Sequence, residues 1–313
     1  MTSAEPLVTV IIFAFNHEKY IADAIRSVLA QETGFGTEVL VAYTPSADNT
    51  AEAVSKAIEG HPRAQMITFD GRQKFSVNVL QLIGGIRGKY VIFTDGDDHW
   101  IFTGKLRESA QFLEENPDYA GIFHDAEIRS ENTEDAAKSP QFRYYEKYKA
   151  FSQFNVYDTD YNAWDAVKRL VIPPGTLLFR SALCREAAGE FLHVSFSGMW
   201  MVHLFVLRRN KFRYRNECWS VYRNHISGLT KSNAHRSFIK DNIRVLRHML
   251  KDPYYRSFRW DVYKSISREY ELMLFSAETG RKRRHRLKII WRMLYYYLLF
   301  FGSTLKRAMK NNW

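Results

Sequence analysis

The stretch that most constrains the fold is Tyr90 to Trp100, where Tyr90-Val91-Ile92-Phe93-Thr94 runs straight into Asp95-Gly96-Asp97-Asp98. A continuous apolar or β-prone run closed by a glycine-bearing turn reads as a buried strand of a parallel sheet. Carboxylates at the carboxyl end of such a strand sit where open α/β sheets bind ligands. Three acids packed so closely repel one another, and a divalent cation relieves that repulsion through oxygen ligands. Asp95 and Asp97 lie two residues apart, so a regular strand projects both to one face. The competing reading of the same residues is a solvated loop whose acids cap a helix near Lys105.

The flanking sequence favours the sheet. Leu7 to Ala14 is a β-branched run, read as a central strand. After Phe15-Asn16-His17-Glu18, the positions Ile21, Ala24, Ile25, Val28 and Leu29 form one helical face, with Asn16 as the expected N-cap. Strands are predicted at Glu38–Tyr43 and Gln65–Phe69, with helices near Thr50–Glu59 and Val77–Ile86 between them. Strand alternating with helix to about residue 100 predicts a doubly wound, mostly parallel α/β sheet flanked by helices. Beyond it, a helix is predicted over Lys105–Asn116 and a strand over Tyr119–Ile128. Residues 129–165 read as an irregular loop, 170–180 as a strand entered through a turn, Met199–Arg208 as a helix and Glu217–Tyr222 as a short strand, with 223–228 as a loop.

The chain has 313 residues, enough for a full core, and a formal net charge of +11. Such a charge implies an anionic partner. The cations concentrate in the tail and no nucleic-acid module is recognisable, so nucleic acid is not the expected partner. Cys184 and Cys218 are the only cysteines, which excludes a disulfide framework and a cysteine zinc site. The N-terminus lacks the layout of an exported leader. Residues 1–232 read as one domain and 233–313 as a helical extension. That extension carries Arg281-Lys282-Arg283-Arg284-His285-Arg286, an aromatic run to Phe301, and Lys306, Arg307 and Lys310. Met293–Phe301 is too short to span a bilayer, and aromatics flanked by cations suit a helix lying in an anionic membrane interface. Packing on its own domain or on a second subunit is the alternative.

Taken together, these motifs resemble family-2 glycosyltransferases of the GT-A fold. Val8–Asn16 with Tyr20-Ile21 and Ser27–Gln31 is similar to that family's opening strand and helix. Asn78, Gly88-Lys89-Tyr90 and Thr94–Asp98 with Trp100 match its acidic motif and approach, and Phe112–Tyr119 is typical of bacterial members. Ile172-Pro173, Phe179-Arg180 and Tyr222–His225 match its second half. The resemblance covers about residues 6–230. It implies inverting transfer of a sugar from a nucleotide-sugar donor to a glycan or lipid-linked acceptor in surface glycan synthesis. It further implies Mg²⁺ or Mn²⁺ on Asp95 and Asp97, with Arg223 and His225 near the diphosphate and His225 a further metal ligand. Phe15, Asn16 and Glu18 are expected to border the nucleoside.

Two positions depart from the family pattern. The aspartate pair that usually ends the second strand is replaced by Tyr43 and Thr44, with Asp48 four residues on. The family's catalytic aspartate position falls at Met199 within Gly198-Met199-Trp200, and a thioether accepts no proton at neutral pH. Asp125 and Glu127 are the candidate bases, with Glu190 and His193 further ones. A catalytically impaired binding or scaffold protein is the alternative function. Nucleotide sugars are cytosolic, so the expected site of action is the cytoplasmic face of the inner membrane.

Overall fold

A computed structural model describes residues 5–131, 140–168, 171–191, 199–227, 235–275 and 283–310. The elements run β1 (Val8–Ala14), α1 (Ile21–Leu29), β2 (Thr37–Tyr43), α2 (Thr50–Ile58), β3 (Ala64–Thr68), α3 (Phe75–Gly84), β4 (Tyr90–Asp95), β5 (His99–Trp100), α4 (Lys105–Glu115) and β6 (Tyr119–Ser130). They continue with α5 (Pro140–Tyr145), β7 (Asp160–Tyr161), α6 (Ala163–Val167), β8 (Leu178–Arg180), α7 (Ser181–Phe191), α8 (Trp200–Val206) and β9 (Lys211–Asn224). Three helices close the chain: α9 (His235–Met249), α10 (Arg259–Phe275) and α11 (Arg283–Lys310).

The strands form one sheet in the order β3-β2-β1-β4-β8-β6-β9-β5, with β7 also paired to β9. The first four strands are mutually parallel. β8 runs antiparallel between β4 and β6, and β6 and β9 resume the parallel direction. Alternation along β1 sends Val8, Val10 and Ile12 to one face, where they meet α1, α2 and α4 through Ile25, Val54 and Leu106. Ile11 points the other way, into a cluster with Val79 of α3, Val202 of α8, and Ile243 and Ile266 of α9 and α10. The C-terminal helices therefore share one apolar cluster with the sheet.

Several expectations need correction. Residues 129–165 are not uniformly irregular: among the described residues they hold α5, a 3-10 turn at Phe151–Gln153, β7 and α6. The strand expected over 170–180 begins only at Leu178, because Gly175 turns the chain with φ +68°; Leu170 lies outside the described residues. Arg223 and Asn224 belong to β9 rather than to a loop. The last element, α11, extends from residue 283 to residue 310; Arg281 and Lys282 are outside the described residues.

The register positions the site. Phe13 pairs with Asp95, and Ala14 with Tyr43, so the loops after β1, β2 and β4 open side by side. β5 follows the acidic turn at once and pairs with β9, His99 against Val221. The end of β9 is thereby drawn back to the acidic turn, and His225 with it.

Candidate active site

Asp95 is the last residue of β4, and Asp97 and Asp98 follow in a turn. The three carboxylates converge through this turn, closed by the Asp98 amide on the Asp95 carbonyl at 3.2 Å, and not through strand alternation. One oxygen from each lies within 4.8 Å of the others. Gly96 makes the turn possible. A Cβ there would meet the Phe13 carbonyl at 2.8 Å, Ile21 Cδ1 at 2.6 Å and His17 Nδ1 at 2.8 Å.

The neighbours of the acids divide into two groups. Asp97 Oδ2 faces His225 Nε2 at 3.0 Å and His17 Nε2 at 3.5 Å. The other His225 nitrogen, Nδ1, lies 2.7 Å from Ser227 Oγ, and its ring packs on Tyr20. Asp98 Oδ1 accepts the Arg223 amide at 2.9 Å. Burial raises the Asp95 carboxyl to about 7, and the Asp97 charge adds to the effect. Burial pushes Asp97 the same way, but the hydrogen bond from His225 and the nearby His17 outweigh it and hold Asp97 below the usual range. Burial lowers His17, against the opposing pull of Asp97. A dense carboxylate cluster with imidazole nitrogen at its rim is a donor set that suits a divalent cation of the Mg²⁺ to Zn²⁺ series.

The other sequence candidates fall into place unevenly. Arg223 does not reach over the site. Its guanidinium is held by Asp23 at 3.0 Å and the Asp97 carbonyl at 3.3 Å, so it braces the acidic turn. Asn16 is not the cap of α1, whose first turn is preceded by Tyr20; Asn16 takes a left-handed φ of 56° and is exposed. Phe15 is exposed beside it. Glu18 accepts the Asn49 amide at 3.0 Å, and its own amide donates to Asp48 Oδ2 at 3.0 Å. Asp48 also accepts from Ser46 and Thr50, and although its partial burial works the other way, these bonds hold its carboxyl down at about 2. The loops after β1 and β2 are thus tied together by exchanged hydrogen bonds.

Tyr43 presents little surface: it is buried in the apolar cluster of α1 and α2, and its hydroxyl accepts the Ser46 amide at 3.1 Å. Thr44 is half-buried, and its amide is bound to the Ala14 carbonyl. Asp125 is buried at a bulge between β6 and β9, where Oδ1 accepts the Ala126 amide at 2.8 Å and both oxygens accept the Ser152 amide at 3.3 Å. Glu127 is half-buried, pairs with Arg129 at 2.7 Å, and lies in register with Val221, itself opposite His99. Met199 packs on the apolar cluster at the start of α8. Glu190 is not in a loop; it sits on α7, ion-paired with Arg208 at 2.7 Å. Gly198 and His193 lie outside the described residues.

Sequence reasoning missed Tyr20 and Asp23, and placed His17 only within the Phe15 to Glu18 loop expected to border the nucleoside, not against Asp97. Tyr20 donates to Glu131 at 2.6 Å and stacks beneath both His225 and Arg223. The signal available was their spacing: all three fall on the loop and first turn that follow the strand beside β4.

Comparison with known proteins bears on the family and the fold. The family model described as Glycosyl transferase family 2 matches residues 9–185. An uncharacterized protein of Mycobacterium tuberculosis is 27% identical over 135 residues, which is 43% of this chain and 38% of that one. A Bacillus subtilis protein, TuaG, named as a candidate teichuronic acid biosynthesis glycosyltransferase, is 29% identical over 115 residues, 37% of this chain and 45% of that one. The matched stretches thus span less than half the length of these relatives. Among solved structures, Staphylococcus aureus TarS 1–349 superposes with a TM-score of 0.62 at 15% identity, covering 92% of this chain and 80% of that one. The mannosyltransferase PcManGT of Pyrobaculum calidifontis, in complex with GDP-Man and Mn²⁺, gives 0.54 at 16% identity, covering 99% and 88%.

Proposed function

The chain belongs to glycosyl transferase family 2 and has the GT-A fold, and from that premise we propose that it moves a sugar, with inversion, from a nucleoside-diphosphate sugar to an acceptor hydroxyl. The observation that carries the reading is the convergence of Asp95, Asp97 and Asp98 at the carboxyl end of the interior strand β4, with His225 on Asp97. In this reading Asp95, Asp97 and His225 hold Mg²⁺ or Mn²⁺. Held there, the cation would offset the negative charge that develops on the departing diphosphate. The solved complexes of TarS with UDP and with UDP-GlcNAc, and of PcManGT with GDP-Man and Mn²⁺, support a nucleotide-sugar donor. Phe15, Thr44 and the tied loops around Asp48 border the nucleoside, and Arg223 keeps the acidic turn in shape. Titration of the protein with UDP, GDP, CDP and dTDP, with and without Mn²⁺, tests the reading. Metal-dependent binding of one of them supports it and names the donor class. No binding by folded protein removes it.

Glu127 is the base we favour, because Asp125 is sealed against backbone amides while Glu127 is partly open. Glu127→Gln is expected to lower transfer by about 10²- to 10⁴-fold while nucleotide binding persists. Full turnover in this variant returns the base to another residue. Met199 at the family's usual base position favours one second reading, a protein that binds a nucleotide sugar without turning it over. Metal-dependent binding with neither transfer nor hydrolysis of the donor identifies it.

The acceptor we propose is a surface or lipid-linked glycan, in keeping with the name given to TuaG. Residues 1–232 then form the transferase unit and 233–313 an extension that holds it at an anionic membrane surface. Among the described residues no helix is long and apolar enough to cross a membrane. α11 nevertheless exposes Leu287, Trp291, Leu294, Tyr295 and Leu298 along one face. It contains no acid and eight lysines and arginines, so anionic lipid suits it better than a second copy of itself. A Trp291→Glu, Leu298→Glu variant is expected to bind anionic vesicles at least about tenfold more weakly, since each lost apolar side chain removes roughly 1.5–3 kcal/mol of burial. Flotation at low salt checks this, and unchanged flotation of the variant counts against the docking face.

A further inference from the structure

We propose that the cleft at the outer edge of β9 is a second glycan subsite, which holds a neutral stretch of the acceptor remote from its reacting hydroxyl; the inference rests on the transferase reading of the proposed function. The cleft has a volume of about 550 Å³ and is lined in part by Tyr157, Tyr214, Ser152, Asn155 and Asn216. It belongs to a different stretch of the sheet from the acids. Arg223, whose amide reaches Asp98, lies about 20 Å further along β9 than Asn216, at about 3.3 Å per residue.

The register of β9 opens the cleft. Arg215 pairs with His124 of β6 and Cys218 with Asp125, so Asn216 and Glu217 are bulged out of the ladder. On the outer side of β9, β7 reaches only Phe212 and Arg213, and β5 only Ser220 and Val221. Among the described residues, no strand covers the stretch between them. A bulged edge is a poor template for an added strand, so a peptide is not the expected occupant.

The lining has the chemistry of a sugar site. The Tyr157 and Tyr214 rings lie 4.6 Å apart, and each also packs on Phe123. The Tyr157 hydroxyl donates to the Val171 carbonyl and the Tyr214 hydroxyl to Asn216 Oδ1 at 3.0 Å. The rings are thereby held as preformed apolar surface. Ser152, Thr159 and Asn216 supply hydroxyl and amide groups of the kind that pair with sugar hydroxyls. The two arginines of the lining, Arg213 and Arg215, are already matched by Asp160 at 3.6 Å and Glu108 at 2.6 Å. The cleft therefore offers polar groups without a surplus of charge, which suits a neutral polyol and not a phosphate or a uronate. Val156, also in the lining, is 85% exposed, apolar surface that a bound sugar ring would cover.

One segment joins the cleft to the proposed base. Ala150 bridges Glu127, the Ser152 amide donates to Asp125, the Thr159 carbonyl accepts the Tyr214 amide at 2.8 Å, and Tyr161 pairs with Phe212. A glycan whose end hydroxyl meets Glu127 has this edge to follow into the cleft. The subsite thus favours long acceptors over short ones through binding, without touching the reacting atoms.

The test places the whole chain, fluorescently labelled, on an array of bacterial surface glycans in neutral and acidic sets, without metal or nucleotide. The wild type is expected to bind neutral oligosaccharides and not the monosaccharides. Val156→Glu with Thr159→Trp, which puts a charge and a bulky ring into the cleft, is expected to bind at least about tenfold more weakly. Hydrogen exchange over residues 152–159 of the wild type is expected to slow when the bound glycan is added, a readout that stands should the variant not fold. No glycan bound, binding confined to the acidic set, equal binding by the variant, or unchanged exchange over 152–159 overturns the subsite and leaves the transferase reading to the nucleotide titration. Glycan binding at the cleft by a protein that binds no nucleoside diphosphate with Mn²⁺ overturns its role as an acceptor subsite along with that reading.

Discussion

Asp97→Asn is expected to lower sugar transfer by about a thousandfold or more and to erase the effect of Mn²⁺ on nucleotide binding. The substitution preserves shape and removes charge at the one oxygen on which His225 and His17 converge. Asp97 is also the acid whose surroundings favour its ionised form, since the imidazoles outweigh its burial, whereas Asp95 is pushed up to about 7. Taking the charge from Asp97 therefore removes the fixed anion of the pair. Asp118→Asn is the matched control, because Asp118 is exposed, pairs with Lys211 and precedes β6, away from the acidic turn. Initial rates with the donor identified by titration, together with the titration itself, measure the effect. Turnover that survives in Asp97→Asn contradicts the metal role of that residue.

The half of the fold that carries the acids was legible because its strands are buried on both faces. β1, β2 and β4 read as unbroken apolar runs, and their helices repeat at helical spacing. The second half follows other rules. In β9 the stretch Lys211-Phe212-Arg213-Tyr214-Arg215 alternates cation and aromatic, so it reads as surface. Phe212 is nevertheless fully buried while Lys211 and Arg213 reach Asp160 of β7. In α7 the buried residues are small, Cys184, Ala187 and Ala188 at helical spacing, and they carry little apolar signal. At the site, the acids and His225 could be named from their order in the chain. That Asp97 is reached by a turn follows from the local bond between Asp98 and Asp95, and that His17 fills the space beside Gly96 follows from the pairing of β1 with β4, whereas the hold of Asp23 and the Asp97 carbonyl on Arg223 depends on how β5 pairs with β9. That pairing joins residues more than a hundred positions apart, and no local pattern encodes it.

Lys105→Met is expected to destabilise the protein by about 3 kcal/mol, because it removes the donor from a fully buried, hydrogen-bonded polar site. From the sequence this lysine is only the start of a helix. In the fold it is completely buried, donates to the Gly175 carbonyl and to Ser220 Oγ at 2.8 Å, and lies 3.8 Å from the centre of the Trp100 ring. It therefore joins the turn before β8, the middle of β9 and the strand that follows the acidic motif. Burial drives its ammonium well below the ordinary lysine range, and the charge of Asp98 opposes that drop. The sign follows: a lysine lowered by folding binds fewer protons in the native state, so its contribution to stability becomes more favourable as pH rises toward 10.5. Methionine fills the stem but takes the Lys105 donor from the Gly175 carbonyl and from Ser220 Oγ, leaving only the long Ser220–Gly175 bond of 3.5 Å between them. Thermal unfolding is expected to fall by about 4 °C or more, and metal-dependent nucleotide binding to weaken with it, since Asp98 and Trp100 flank the acidic turn. An unfolding midpoint within about 2 °C of the wild type contradicts the role of Lys105 as the strut behind the site.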